Sequence, residues 1–216
     1  MKERGMIFNS EMVRAILDGR KTQTRRIVKG ADGAVKFCKE WDINGEEIFV
    51  VLGEKYHTGM NPVLGAISCP FGAVGERIWV RETFQGPLFD YEQMESYLED
   101  SSKFEKPEFC QYAADGKPAP EYYDADDNLR HGWRPSIHMP RWASRILLEI
   151  TDVRVERLRS MSQDDARAEG VIAASGPMEA GLAFRELWDS IYGEESWAAN
   201  PWVWVIEFKR VEGGAA

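Results

Sequence analysis

The stretch Met6-Ile7-Phe8-Asn9-Ser10-Glu11-Met12-Val13-Arg14-Ala15-Ile16-Leu17-Asp18-Gly19-Arg20-Lys21-Thr22-Gln23-Thr24-Arg25-Arg26-Ile27-Val28 decides how the chain is organised. Met6 to Phe8 reads as a short strand, and Asn9 or Ser10 can accept a hydrogen bond from the first free amides of a helix. Val13, Ile16 and Leu17 follow at i, i+3 and i+4, which gives that helix one buried stripe. Gly19 stops it, because glycine tolerates the left-handed backbone common just past a helix end. Lys21 to Val28 then carries threonines and an Ile-Val pair that favour an extended segment.

Working outward, Val35 to Trp41 and Glu47 to Leu52 predict a strand pair around Asn44-Gly45, a favoured hairpin dipeptide. After Gly75-Glu76-Arg77, Ile78 to Thr83 reads as a strand with Trp79, Arg81 and Thr83 on one face and Ile78, Val80 and Glu82 on the other. Ile146, Leu148 and Ile150 alternate within Arg145 to Leu158, as on a half-buried strand. Ser162 caps a short helix running to Glu169, and Phe184, Leu187, Trp188 and Ile191 form a helix stripe closed by Gly193. In the last strand Trp202, Trp204, Ile206 and Phe208 point one way and Val203, Val205, Glu207 and Lys209 the other, while Gly213 to Ala216 should fray. Short strands with few helices predict an α+β fold: a small curled or barrel-like sheet with flanking helices. A doubly wound parallel sheet is disfavoured, because strands do not alternate regularly with crossover helices.

At 216 residues the chain suits one domain spanning 1–216. Its 44% hydrophobic and 29% charged content is that of a globular protein rather than a disordered or fibrous one. No apolar run approaches the roughly 20 residues that cross a bilayer, and Met1 to Gly19 lacks a secretory pattern, so a cytoplasmic protein away from membranes is expected. Cys38, Cys69 and Cys110 offer neither a disulfide framework nor a metal knuckle. The net charge of −9 is regional: Gln85 to Arg130 holds 12 acidic and 4 basic residues. A basic groove elsewhere therefore stays open to nucleic acid. That acidic stretch, with its Pro and Gly punctuation, predicts an inserted lobe or long loop over 85–135. It reads either as a solvated appendage or, given Tyr112, Tyr122 and Tyr123, as a lid or partner-binding lobe.

There is no GxxxxGK[ST] loop, GxGxxG turn, GxSxG elbow or HExxH helix, which removes the common nucleotide and hydrolase machines. His57, His131 and His138 stand at no metal-ligand spacing, so no metal and no cofactor is expected. His138, between Pro135 and Pro140, is the histidine best placed for substrate contact. Gly19 to Arg26 packs three arginines, a lysine and two threonines after a helix stop. It reads either as a solvated strand edge or as an anion or nucleotide site, with Lys21 and Arg25 meeting phosphate or a base edge. In the second reading a threonine hydroxyl lies near a lysine that acts as its base. On a regular strand Lys21 and Thr24 face opposite sides, so that reading needs a turn or bulge after Gly19.

Gly-Arg-Lys-Thr-Gln-Thr-Arg after a short amphipathic helix resembles the G-x-K-x-x-x-x-R signature of the ASCH domains, relatives of the PUA-like RNA-binding barrels. Gly75 to Glu82, the Ser162 to Glu169 helix and Trp202 to Phe208 are similar to further pieces of that family, above all its longer phage and prophage members. Gln85 to Arg130 has no counterpart in the resemblance. Small bacterial ASCH proteins of this kind are metal-independent amidohydrolases that remove acetyl from N(4)-acetylcytidine. The resemblance implies Lys21 as base, Thr24 as nucleophile and Glu169 as the carboxylate, with Glu82 as a competing carboxylate. It further implies a modified nucleoside or RNA as partner, Trp79 stacking on the base or packing in the core, and Arg25, Arg26 and Arg81 meeting phosphate. An RNA or modified-base binding module without turnover and a metal-independent ribonuclease are the alternatives.

Overall fold

The computed structural model describes residues 2–55, 59–123, 128–172 and 179–211. His57 and the Gly213 to Ala216 tail lie outside the described residues. The strands are β1 (Glu3–Ile7), β2 (Gln23–Ile27), β3 (Lys36–Trp41), β4 (Glu47–Leu52), β5 (Val63–Ile67), β6 (Arg77–Arg81), β7 (Phe84–Gln85), β8 (Gln111–Tyr112), β9 (Glu121–Tyr123), β10 (Leu129–His131), β11 (Leu147–Arg157) and β12 (Trp202–Arg210). The α-helices are α1 (Ser10–Leu17), α2 (Met94–Glu99), α3 (Gln163–Ala168), α4 (Ala180–Tyr192) and α5 (Glu194–Ala199), with short 3-10 turns between them. The α+β class stands. The small barrel does not: among the described residues β3–β4–β5, β7–β8 and β9–β10 each pair only within themselves, and no sheet closes.

The chain divides into two compact units, the first mainly Gly19–Glu76 with Glu149–Lys209, the second mainly Glu3–Asp18 with Arg77–Leu148. In the first, β2 pairs antiparallel with β12, setting Ile27 against Val203, Arg25 against Val205 and Thr24 against Ile206. Residues 203–206 are all buried, so β12 is covered on both faces rather than half-solvated. Val203 and Val205 pack with Leu158, Ala166, Phe184 and Trp188 in an apolar cluster under α3 and α4. On the other face the Trp204 ring meets Phe49 edge-on, with centroids 4.9 Å apart. Ile191 is about half exposed, so the α4 stripe ends one turn earlier than its spacing predicts. The hairpin forms as its turn chemistry requires: Asp42 Oδ1 accepts from the amides of Asn44 and Glu46, and Gly45 adopts a φ of 76°. β5 escaped the sequence reading because Val63, Leu64, Gly65 and Ala66 are all exposed and carry no alternation.

In the second unit β1 pairs parallel with β6. Gly5 is required there, since a Cβ at that position would stand 2.6 Å from the Trp79 ring. Asn9 Oδ1 accepts from the Met12 amide at 2.8 Å, and Met12, Val13, Ala15 and Ile16 are the buried residues of α1. The acidic insertion has a small core of its own. Phe89 stacks on Tyr97 at 4.5 Å, and the buried Phe104 ring lies 4.9 Å from both Phe89 and Phe109. Beside it Phe84, Tyr112, Met139 and Ala143 form a second cluster, with the Tyr112 hydroxyl donating to the Ala143 carbonyl.

Candidate functional site

Alternation along β2 sorts the motif. Gln23, Arg25 and Ile27 face the helices: the Gln23 amide nitrogen donates to the Asp165 carbonyl at 2.8 Å, Arg25 lies over the Phe184 ring, and Ile27 packs on the helix cluster. Lys21 keeps this phase, because the backbone at Thr22 stays paired on both sides, its amide donating to the Ala168 carbonyl and its carbonyl accepting from Phe208. The segment just after α3 thus forms a short edge beside β2, with Lys21 bridged to Glu169. Lys21 Nζ donates to the Glu169 carboxylate at 2.8 Å and to its backbone carbonyl at 2.9 Å. Arg25 Nη1 donates to the other carboxylate oxygen at 3.0 Å. Lys21, Arg25 and Glu169 are each 2% exposed.

Taking three charges out of water sets the electrostatics. Burial pushes the Lys21 amine below its ordinary value of 10.5, and the Arg25 and Arg26 charges push the same way, against the pull of Glu169. Two of the amine's three positions are held by Glu169, so a neutral Lys21 can keep both N–H bonds and present a lone pair. Arg25 also stands within 3.6 Å of Glu156 and 3.4 Å of Asp165, while its Nε and Nη2 find no hydrogen-bond partner among the described residues. Asp165 is a member that sequence reasoning missed. The signal was available: Ser162-x-x-Asp165 is a capping box, with the Ser162 hydroxyl accepting from the Asp165 amide and Asp165 accepting from Ser162. Burial raises the Asp165 carboxyl, but the Ser162 bonds and the Arg25 charge outweigh it and hold it at about 2. Arg154, also missed, joins Asp165, Glu156 and Glu207 into the same network.

Thr24 departs from expectation. It is 0% exposed, pairs with Ile206, and its hydroxyl accepts from Arg26 Nη1 at 2.7 Å on the face of β2 opposite Lys21. No bulge after Gly19 brings the two together, because the paired Thr22 backbone keeps the strand regular. The phosphate role expected of Arg25 is corrected for a related reason: its guanidinium is buried among carboxylates. Arg26 is committed to Thr24 and to the Arg25 carbonyl.

The chain matches no family model, no curated protein and no solved structure.

The remaining predicted site residues belong to the second unit. Glu82 is buried and bound by both arms of Arg145 at 3.0 Å, with Asp115 on the same guanidinium. Burial raises the Glu82 carboxyl while Arg145 opposes the rise. Lys21 therefore takes Glu169, and the competing carboxylate has a different cation. Trp79 is half-buried with the Arg81 guanidinium 5.4 Å from its ring, and Arg81 also donates to the Ile137 carbonyl. His138 is exposed at the end of a 3-10 turn. Among the described residues no helix is long and apolar enough to cross a membrane.

Proposed function

We propose that the chain hydrolyses the N-acyl group of a cytidine-type modified nucleobase, N(4)-acetylcytidine or a close relative, with the Lys21–Glu169 couple moving the proton. Similarity to the ASCH domains suggests the substrate class. The observation that carries the reading is the meeting, in one buried place, of a motif lysine with a glutamate 148 positions away. A buried ion pair seldom returns its desolvation cost as stability, so one kept at a motif lysine fits working chemistry better than structural support. The basic cluster that favoured a binding module is largely neutralised: Lys21 and Arg25 face carboxylates rather than solvent.

In this reading neutral Lys21 takes a proton from water, whose oxygen adds to the acetyl carbon. The carbon–nitrogen bond then breaks as that proton passes to the exocyclic nitrogen, giving cytidine and acetic acid, whose remaining proton is lost to solvent to leave acetate. Glu169 orients the amine, and Arg25 fixes the carboxylate from its other oxygen. Water replaces Thr24 as the nucleophile, because the threonine hydroxyl faces away from the amine. Substrate reaches the couple when the Ala168–Gly170 edge parts locally from Lys21–Thr22, where an exposed Arg20 bond to the Gly170 carbonyl closes the rim.

The test is cytidine release from N(4)-acetylcytidine. Lys21→Ala and Glu169→Gln are expected to lower the rate by about a hundredfold or more with the circular-dichroism spectrum unchanged, as loss of an acid–base group does. Thr24→Ala is expected to keep most of it. Absence of release by folded protein sinks the reading, and an acetyl group trapped on Thr24 restores the threonine as nucleophile.

A further inference from the structure

The acidic lobe encloses a cavity of about 770 Å3 lined by Phe89, Tyr91, Phe109, Tyr122 and Tyr123 together with Asp90, Glu121 and several smaller contributors. That size lies within the roughly 300 to 1,000 Å3 of ligand-holding clefts. One wall is packed from behind, since Phe89 and Phe109 belong to the lobe's own aromatic core around Phe104. The rim is open: Tyr91 is 87% and Tyr123 70% exposed. Elsewhere in the lobe Asp115 is paired with Arg145 and Glu108 with Lys106. Asp90 and Glu121 form no ion pair with a described residue.

We propose that this cavity is a docking groove for a basic peptide segment of a partner protein, whose Lys or Arg stems lie on Tyr91, Phe109, Tyr122 and Tyr123 and whose charged heads meet Asp90 and Glu121. Three features select that occupant. Aromatic faces attract cations through the ring quadrupole, most strongly where water is excluded. Long basic side chains carry an apolar stem that covers ring surface while the head stays at the carboxylates. The balance of 12 acidic to 4 basic residues over Gln85 to Arg130 steers a cationic partner in and repels a nucleic acid. A segment fits better than a small cation, because the exposed aromatic surface extends outward to the rim, where tyrosines commonly anchor protein contacts.

The experiment is fluorescence anisotropy of a fluorescein-labelled eight-residue peptide alternating Arg and Ala, against full-length protein. Saturable binding is expected, with none for the same peptide carrying Glu in place of Arg or for a single-stranded RNA. Glu121→Lys and Tyr122→Ala should each weaken it about tenfold or more, as truncation of an interface anchor does, while Glu105→Lys, an exposed lobe acid outside the groove, changes it about twofold at most. Equal losses from Glu105→Lys and Glu121→Lys mean diffuse charge attraction and overturn the groove. Displacement by spermidine at equimolar concentration overturns the peptide as occupant in favour of a small polycation. Lys21→Met leaves peptide binding intact, so this outcome stands apart from that of the hydrolysis assay.

Discussion

The Lys21–Arg25–Glu169 cluster and the acidic lobe use charge in opposite ways. In the first, each charge is buried and held by an opposite one within 3.0 Å. In the second, Asp90 and Glu121 have no ion-pair partner among the described residues and stand beside exposed tyrosines. The contrast shows that a run of like charges in a sequence has no fixed meaning: desolvation decides it. A charge taken out of water must find its partner inside the chain, whereas a solvated one stays available to a partner outside.

The comparison can be broken most forcefully at Glu169. Glu169→Ala strands Lys21 and Arg25 without their shared counter-ion and is expected to cost about 3–5 kcal/mol in urea unfolding, whereas Glu121→Ala in the lobe should stay within about 0.5 kcal/mol. Equal effects would erase the distinction between the two regions. A smaller shift concerns proton transfer. The base form of Lys21 is the neutral amine, whose fraction rises with pH, and burial lowers its pKa. The rising limb of kcat/KM for hydrolysis should therefore lie below pH 10.5. A limb at or above that value would show a lysine solvated like those on the surface.

The finest effect is at Asp165, whose carboxyl is held at about 2 in the fold against an ordinary value of 3.8. A depressed carboxylate stabilises the native state fully above the ordinary value and loses that contribution as pH falls toward the folded one. Urea midpoints should drop between pH 4 and about 2, and Asp165→Asn should flatten that slope. An unchanged slope would remove Asp165 from the network. Charge reversals in the lobe should leave this acid limb alone.

Much of the first helix, the hairpin and the closing strand was legible, because caps, turn dipeptides and apolar spacing are local signals. Asn9 caps α1, Asn44-Gly45 turns between β3 and β4, and Ser162 opens α3, each within a residue or two of its reading. β5 was not legible, since its exposed Val63 to Ala66 run carries no burial pattern. Nor was α5, six residues long and too short for its own periodicity. At the site, the resemblance to the ASCH domains implied Glu169 with Glu82 as its competitor, and it is Glu169 that meets Lys21, while the period-2 rule already warned that Thr24 faces elsewhere. The bulge invoked to reconcile the two is absent because Phe208 and Ala168 hold Thr22 from both sides. Those are long-range pairings that nothing near Gly19 encodes.

By itself the sequence determined the α+β class, those local elements that carry caps, turn dipeptides or apolar spacing, and which residues of the Gly19 to Arg26 run share a face, since all of these follow from backbone geometry over a few neighbours. Only the tertiary structure decided that Lys21 and Arg25 converge on Glu169 while Glu82 belongs to Arg145, and that the acidic insertion builds an aromatic wall beside Asp90 and Glu121. Partner choice among charges depends on which of them lose water together, and that is settled by packing between segments far apart in the chain.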